Sequence, residues 1–293
     1  AIVDVADTEN FDNGTIGTGP YMVETFNGVG VGYDLVANPN YREEVPYDEV
    51  KLMYMGDASA KTMALQSGQV DLVENITNVS DIQDFKDNPD FTVDIASGVR
   101  CGFSWMNFDG ILGNKTLRQA ILMGIDYDTI CNSKTIGGLY TPGFSVLPST
   151  LSYGYDKLTN PYTYDPEGAK AILEEAGYKD TDGDGFVETP DGDPLTLDFV
   201  IYTSRAELGV YAQAAQASLK EIGINVNLNT VSYETLLDMR DSGQYDLLIW
   251  NVLVANTGDP ENYLRENWYS KSANNTAGYN NPEVDELLDE LAG

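Results

Sequence analysis

The sequence predicts an α/β protein of two lobes, because strands and helices alternate along its second half. Apolar periodicity and turn residues place strands at 195–202, 224–228 and 245–254, and helices at 208–222 and 233–242 between them. This alternation is typical of a largely parallel sheet whose faces are covered by helices. With 293 residues, 42% of them hydrophobic, the chain is long enough for two lobes and apolar enough to bury a core.

The first part of the chain combines short strands with a single helix. The helix is predicted at 59–66, with Met63 toward a core and Gly68 as the residue that ends it. Strands are predicted at 21–26, 50–55, 70–76, 91–96 and 100–108.

Three further helices have clear signals. Apolar residues recur at helical spacing over 116–124, which predicts an amphipathic helix with Leu117 and Ile121 in the core. Asp126 is the predicted N-cap of the next helix. Asp165, which a proline follows, is the predicted N-cap of the third.

The composition excludes several classes of function. A net charge of −31 repels phosphate backbones, so nucleic acid is not an expected partner. The chain has no histidine, which excludes histidine-based triads, HExxH zinc sites and imidazole proton shuttles. Cys101 and Cys131 lack the spacing of a metal site. We expect two separate, mostly buried thiols, and a disulfide is the alternative in an oxidising compartment.

Short blocks match, in order, the motifs of one protein family. Early in the chain they are Gly17-Thr18-Gly19-Pro20-Tyr21, Asn38-Pro39-Asn40-Tyr41 and Leu65-Gln66-Ser67-Gly68-Gln69-Val70-Asp71. Later they are Leu117-Arg118-Gln119-Ala120, Tyr164-Asp165-Pro166-Glu167, Glu175-Ala176-Gly177-Tyr178, Gly243-Gln244-Tyr245-Asp246 and Gly258-Asp259-Pro260. Each block is weak alone, but their order over nearly the whole chain is specific. The chain resembles the extracellular solute-binding proteins of family 5, which receive peptides, nickel complexes or oligosaccharides for ABC importers.

This resemblance implies an α/β, periplasmic-binding-protein-like fold of class II, with two lobes, in incomplete form. Family members are longer at both ends, so we expect a fragment. Residues 1–97 would be part of lobe I, and residues 98–293 most of lobe II without its closing C-terminal strands. The resemblance also implies an extracellular or periplasmic location and an ABC transporter permease as partner. Attachment to the membrane would be through a lipid anchor outside residues 1–293.

Two segments resemble the strands that line the family's ligand cleft between the lobes, where hinge closure buries the solute. The candidate ligand-binding residues are Phe103, Ser104, Trp105 and Asn107 in the first segment, and Trp250, Asn251, Asn256 and Asp259 in and after the second. For Trp105 and Trp250 the alternative role is core packing. A buried amide needs partners, so Asn251 belongs either to a core network or to the ligand site.

Asn256 departs from the family's pattern. Peptide-binding members place an aspartate near this position, where it pairs with the ammonium group of the peptide. An amide keeps the hydrogen bonding and loses the charge, which suits capped peptides, sugars or other polyols equally well. The nickel-binding branch is disfavoured because this chain offers no histidine ligand.

Residues 180–191 follow the calcium-loop pattern D-x-D-x-D-G, with oxygen-bearing side chains at positions 1, 3, 5, 9 and 12. The candidate metal ligands are Asp180, Asp182, Asp184 and Asp191. Asp191 stands where such loops carry a longer, bidentate glutamate, and a strand rather than a helix is predicted next. A structural calcium ion is the one cofactor that the sequence suggests. The alternative is a solvated acidic turn that joins a helix to a strand.

The favoured function is the substrate-binding component of an ABC importer, which binds a peptide or similar small solute in an interlobe cleft and is not an enzyme. Alternatives are a receptor of the same family for an oligosaccharide or metal chelate, a carboxylate glycosidase, and a calcium-stabilised adhesion domain. The sequence has no G-x-S-x-G, phosphate loop or dinucleotide fingerprint that would support catalysis. A glycosidase would need two carboxylates ~5–10 Å apart facing a cleft.

Overall fold

The computed structural model describes residues 17–76, 78–202 and 206–292. The chain divides into two compact units, Ala1–Ile82 and Gln83–Gly293. This division lies closer to the N-terminus than the predicted boundary at residue 97, and the assignment of the two segments to lobes stays a prediction. None of the described helices is both long enough and apolar enough to span a bilayer.

The first unit contains a three-stranded antiparallel sheet, whose strands in chain order and in spatial order are β1 (Tyr21–Gly28), β2 (Gly32–Ala37) and β3 (Glu49–Met53). Gly32 has a φ of +147°, and a Cβ there would lie 1.9 Å from the Leu52 carbonyl oxygen. Only glycine therefore fits where β2 meets β3. The predicted strands at 21–26 and 50–55 are confirmed within two residues at each end.

Helix α1 (Ala58–Gln66) confirms the predicted helix, and α2 (Val79–Asp87) follows it. The predicted inward position of Met63 is wrong, because this side chain is 61% exposed. Thr62, which is buried, donates from its hydroxyl to Asp81 Oδ2 of α2 at 2.8 Å. That contact turns the face with Thr62 toward α2 and leaves Met63 in solvent.

Two predicted strands do not form, since residues 70–76 and 91–96 are irregular. Asn75 has a φ of +62°, which interrupts any extended segment. Leu72 and Ile95, two of the apolar positions that suggested strands, are exposed. A strand needs a paired neighbour as well as apolar alternation, and the alternation alone overpredicted strands in this part of the chain.

The second unit contains a four-stranded sheet made of β4 (Arg100–Met106), β5 (Thr196–Tyr202), β6 (Asn225–Val231) and β7 (Leu247–Leu253). The spatial order is β4-β7-β5-β6. Strand β5 pairs in parallel with β6 and with β7, and β4 pairs antiparallel with β7. The predicted largely parallel sheet is confirmed, with one antiparallel strand at its edge.

The helices of this unit are α3 (Lys115–Gly124), α4 (Tyr127–Cys131), α5 (Pro166–Glu175), α6 (Ala206–Glu221), α7 (Tyr233–Ser242), α8 (Glu261–Trp268) and α9 (Pro282–Ala292). Helix α6 packs on one face of the sheet, and α7 and α8 pack on the other. The two predicted N-caps are confirmed. Asp126 accepts from the Thr129 N–H and Asp165 accepts from the Gly168 N–H, each at 2.9 Å.

The main core joins the sheet to α3, α5 and α6. Leu117 and Ile121 are fully buried in it, as predicted, together with Phe199 of β5. Helix α3 approaches the end of α6 closely, because a Cβ at Gly124 would lie 2.6 Å from Ile222 Cδ1. This contact holds α3 against the C-terminal end of α6, and the first turns of α6 carry residues of the candidate site.

The two cysteines are unpaired and half-buried. Burial raises the pKa of both thiols, and the nearby charge of Asp128 adds to the effect at Cys131. The expectation of two separate thiols is confirmed, although neither is mostly buried.

Candidate functional site

The two strands predicted to line the ligand site, β4 and β7, are direct neighbours. Gly102 lies opposite Asn251, Phe103 opposite Trp250 and Ser104 opposite Ile249. Directly opposed side chains share a face of the sheet and lie about 5 Å apart. The pairing therefore brings predicted residues from two distant parts of the sequence onto adjacent rungs.

Phe103 and Trp105 point to the face of the sheet that α8 covers. The Phe103 ring stacks on Tyr263, with centroids 6.2 Å apart, and Trp105 stacks on Trp268 at 6.0 Å. These contacts give both rings a packing role, which for Trp105 is the alternative that the sequence left open. Contact with a solute stays a prediction for both residues.

Trp250 lies on the same face, under α7. It meets Tyr233 edge-on at 5.7 Å, and the Arg240 guanidinium lies 4.7 Å from the centre of the Trp250 indole. Tyr233 in turn contacts Tyr202, the last residue of β5, at 5.4 Å. These aromatic side chains gather near the carboxyl ends of the parallel strands, where ligands of open α/β sheets bind.

Ser104 and Asn251 face α6 on the opposite side of the sheet. The Ser104 hydroxyl donates to the Tyr211 hydroxyl at 3.3 Å, and Asn251 Nδ2 donates to Glu207 Oε1 at 3.4 Å. Burial raises the pKa of Tyr211, so this phenol stays protonated at neutral pH. Asn251 thus contacts the carboxylate of Glu207, in the first turn of α6. Helix α6 follows the carboxyl end of β5.

Asn107 lies at the other end of the strand pair. Its amide nitrogen donates to the carbonyl oxygens of Gly243 and Tyr245, each at 3.1 Å, and its Oδ1 accepts from the Asp109 N–H. Strand β4 separates Asn107 from the end that carries Asn256 by roughly 20 Å. The structure therefore does not bring Asn107 together with Asn256, and the bonds of Asn107 join β4 to the loop before β7.

Asn256 and Asp259 belong to the turn after β7. The Gly258 N–H donates to the Ala255 carbonyl at 3.1 Å, with a φ of +86° at Gly258. Asp259 Oδ1 accepts from the N–H of Glu261, the first residue of α8, at 2.9 Å. Asn256 is exposed. The turn presents a neutral amide and the second oxygen of a carboxylate to solvent.

The sequence did not single out Glu207, Tyr233 or Tyr153. Glu207 and Tyr233 lie at the starts of helices that follow parallel strands, so the strand order together with the carboxyl-end rule would have indicated them. Tyr153 lies in the long loop before α5, and its hydroxyl donates to the Gly258 carbonyl at 3.4 Å. No periodic pattern in that loop indicates this contact.

The acidic loop gathers four carboxylates, but not the predicted four. One oxygen from each of Asp180, Asp182, Asp184 and Glu188 lies within 4.8 Å of the others, and Asp191 is not in this group. Lys179 and Glu188 form an antiparallel bridge, which turns Glu188 back into the loop. Glu188 is only 7% exposed and accepts from the Thr181 N–H at 2.7 Å. Calcium binding stays a prediction, with Glu188 in place of Asp191.

Two further acids, Asp198 and Asp246, lie at the amino ends of the parallel strands. Asp246 Oδ2 accepts from the Asp198 N–H at 2.8 Å, and Asp198 Oδ1 accepts from Asn227 Nδ2 at 2.9 Å. Burial raises the pKa of Asp246, with the charge of Asp198 adding to it against the opposing hydrogen bond. These bonds tie neighbouring strands together, which is a structural role and differs from two glycosidase carboxylates facing a cleft.

The architecture is that of a periplasmic-binding-protein-like α/β protein. The model of the family "Bacterial extracellular solute-binding proteins, family 5 Middle" matches residues 1–275, and the chain belongs to this family. Heme-binding protein A of Haemophilus influenzae is 28% identical over 289 residues, which are 97% of this chain and 50% of that protein. Oligopeptide-binding protein AppA of Bacillus subtilis is 27% identical over 297 residues, which are 98% of this chain and 53% of that protein.

Solved structures agree with this membership. NikA from Brucella suis, in complex with Fe(III)-EDTA, has a TM-score of 0.82 at 20% identity, over 94% of this chain and 55% of that one, a likeness of fold. A nickel ABC transporter from Bacillus halodurans has a TM-score of 0.73 at 29% identity, over 99% of this chain and 59% of that one. The chain spans about half the length of the curated relatives it matches.

Proposed function

We propose that the protein is the substrate-binding component of an ABC importer and binds a peptide or a similar small solute for uptake. The observation that carries the proposal is the pairing of β4 with β7 in a chain of this family. The pairing brings the two segments that resemble the family's ligand-lining strands side by side. It also puts Asn251, with Glu207, at the end of the sheet from which the Asn256 turn emerges.

The groups at this end can hold a solute by hydrogen bonds without chemical change. Asn251 and Asn256 each offer an amide donor and an amide acceptor, and Glu207 and Asp259 offer carboxylate oxygens. Neutral amides match peptide bonds and sugar hydroxyls equally well. The absence of histidine from these residues disfavours nickel held by imidazole, although relatives include proteins named for nickel and heme.

The partners and the location follow from the same proposal. The protein would deliver its solute to an ABC transporter permease from an extracellular or periplasmic position. A lipid anchor outside residues 1–293 would hold it to the membrane. The protein would catalyse no reaction, because an importer needs its solute delivered intact.

Thermal unfolding of the intact protein with a peptide pool and with a set of oligosaccharides tests this function. A bound solute should raise the midpoint of unfolding by about 3 °C or more at saturating concentration. Mass spectrometry of the same mixture should recover the solute unchanged. Hydrolysed products, or the lack of any stabilising solute, would contradict the proposal.

A further inference from the structure

The loop before α5 exposes apolar side chains in the second unit. Tyr153 is 59% exposed, and Phe144 and Leu158 of the same loop are also exposed. The Phe144 ring packs on Tyr155, with centroids 4.7 Å apart, and single exposed apolar side chains are common, so the inference depends on where Tyr153 lies. The Tyr153 hydroxyl donates to the Gly258 carbonyl at 3.4 Å in a hydrogen bond that lies at the surface.

Two hydrogen bonds tie this loop to one end of the β4–β7 pair. The Thr150 hydroxyl donates to the Gly98 carbonyl at 2.9 Å, and Gly98 precedes β4. The Tyr153 hydroxyl donates to the Gly258 carbonyl at 3.4 Å, and Gly258 follows β7. Since β4 and β7 are antiparallel, the start of one and the end of the other lie at the same edge of the sheet. Tyr153 is therefore held at the edge that carries the Asn256 turn.

The surroundings of Tyr153 match a solute with one flat face and polar edges. Leu253, the last residue of β7, is exposed at the same edge and offers an apolar neighbour. The Asn256 turn offers an uncharged amide, and Asp259 a carboxylate oxygen. A ring whose hydroxyl has a hydrogen-bond partner has fewer orientations to lose when a flat group stacks on it.

We propose that Tyr153 contacts the solute and determines specificity, by stacking on a flat face that is either an aromatic side chain of a peptide or the ring of a sugar. This inference rests on the proposed function. It names one chemical feature, a flat face, that an aromatic peptide and a sugar have in common. The ring supplies the stacking surface, and the hydroxyl positions the ring against Gly258.

Retention of solutes by the intact protein distinguishes the two sources. In the peptide arm, a tripeptide library is passed over immobilised protein and the retained peptides are identified by mass spectrometry. The wild type should enrich peptides that contain Phe, Tyr or Trp, and Tyr153→Ala should lose that enrichment. In the sugar arm, titration calorimetry with glucose and mannose oligomers should give an affinity about tenfold weaker for Tyr153→Ala.

Two variants serve as controls. Tyr153→Phe keeps the ring and should stay within about threefold of the wild-type affinity. Tyr164→Ala removes another exposed tyrosine that lies near Glu221, at the far end of α6 from the proposed site, and should bind like the wild type. Two results would overturn the inference and leave the proposed function in place. The first is that the wild type retains peptides without a preference for aromatic ones. The second is that Tyr153→Ala binds the retained peptides or the sugars as well as the wild type does. If no solute of either kind binds the wild type, the proposed function fails and the inference falls with it.

Discussion

Gly102 and Asn251 face each other across β4 and β7, and the missing side chain of Gly102 leaves the space that the Asn251 amide occupies. A Cβ at position 102 would lie 2.9 Å from Asn251 Oδ1. The amide donates to Glu207 Oε1, so this glycine indirectly sets the position of a carboxylate at the start of α6.

Gly102→Ala should weaken solute binding with little effect on stability. The new methyl group would push the Asn251 amide away from Glu207. The free energy of unfolding should change by less than about 1 kcal/mol, because the group that moves is the end of a side chain. Solute affinity should fall at least about threefold in titration calorimetry. Gly19→Ala in the first unit is the control, since a Cβ there meets no described atom closer than 3.9 Å. Unchanged affinity in Gly102→Ala would remove Asn251 from the site.

Asn256→Asp should shift the preference toward peptides with a free amino terminus. The exposed turn would then carry a carboxylate, which forms a charge-assisted hydrogen bond with an ammonium group. Affinities for one peptide in free and N-acetylated form, measured at low and high salt, give the preference. Asn274→Asp adds the same charge to another exposed position and should leave the preference unchanged. The same preference in Asn256→Asp and the wild type would exclude Asn256 from solute contact.

Calcium, if the acidic loop binds it, should stabilise the second unit through Glu188 and not through Asp191. Calcium in excess of its dissociation constant should raise the unfolding midpoint by about 3 °C or more relative to the chelated protein. Glu188→Gln should abolish the increase, and Asp191→Asn should keep it, because only Glu188 lies with the three aspartates. An increase lost in Asp191→Asn and kept in Glu188→Gln would contradict the observed grouping.

The core and the surface of predicted helices should respond differently to truncation. Leu117→Ala removes a fully buried side chain and should cost about 2–5 kcal/mol in the free energy of unfolding. Met63→Ala should cost less than about 0.5 kcal/mol, because Met63 is exposed. Denaturant titrations of both variants measure the difference. Equal losses would show that Met63 is in a core after all.

The half-buried carboxylate of Asp246 should make stability depend on pH in a defined direction. Its pKa in the folded state is raised above the ordinary value of 3.8. At a pH between 3.8 and this raised pKa, the folded state therefore holds a proton that the unfolded state has released. Ionisation therefore costs stability as pH rises through the raised pKa. Asp246→Asn removes this cost and keeps an oxygen that accepts from the Asp198 N–H.

Asp246→Asn should be more stable than the wild type at pH 7, and the difference should shrink as pH falls toward 3.8. Chemical denaturation at several pH values measures this difference. The exposed Asp156→Asn controls for the loss of one surface charge. A variant less stable than the wild type at pH 7 would mean that the hydrogen bond from Asp198 outweighs the burial of the charge.

The sequence predicted best the elements whose signals are local. The helix around Leu117 and Ile121, and the caps Asp126 and Asp165, depend on spacing within a few residues, and all were found as expected. The strand at 70–76 failed because strand formation requires a partner that no local pattern reveals. The same limit applies to Met63, whose exposure depends on how α1 turns toward α2.

The candidate site was predictable in its strands and not in its arrangement. Alternation along 101–107 and 250–256 does not reveal that Asn107 and Asn256 lie at opposite ends of one strand pair. That fact depends on the antiparallel register between distant segments. Both Glu188 and Asp191 offer oxygens in the loop pattern, and the bridge between Lys179 and Glu188 is the contact that brings Glu188 to the three aspartates.

A crystal structure of the intact protein with a bound solute would show whether the solute binds at the end of the sheet that carries Asn251 and Asn256. We expect an unreacted solute at the carboxyl end of β7, within about 3.2 Å of a polar atom of Asn251 or Asn256. A solute bound beside Asn107 at the opposite end of the sheet, or a cleaved product in place of the solute, would contradict it.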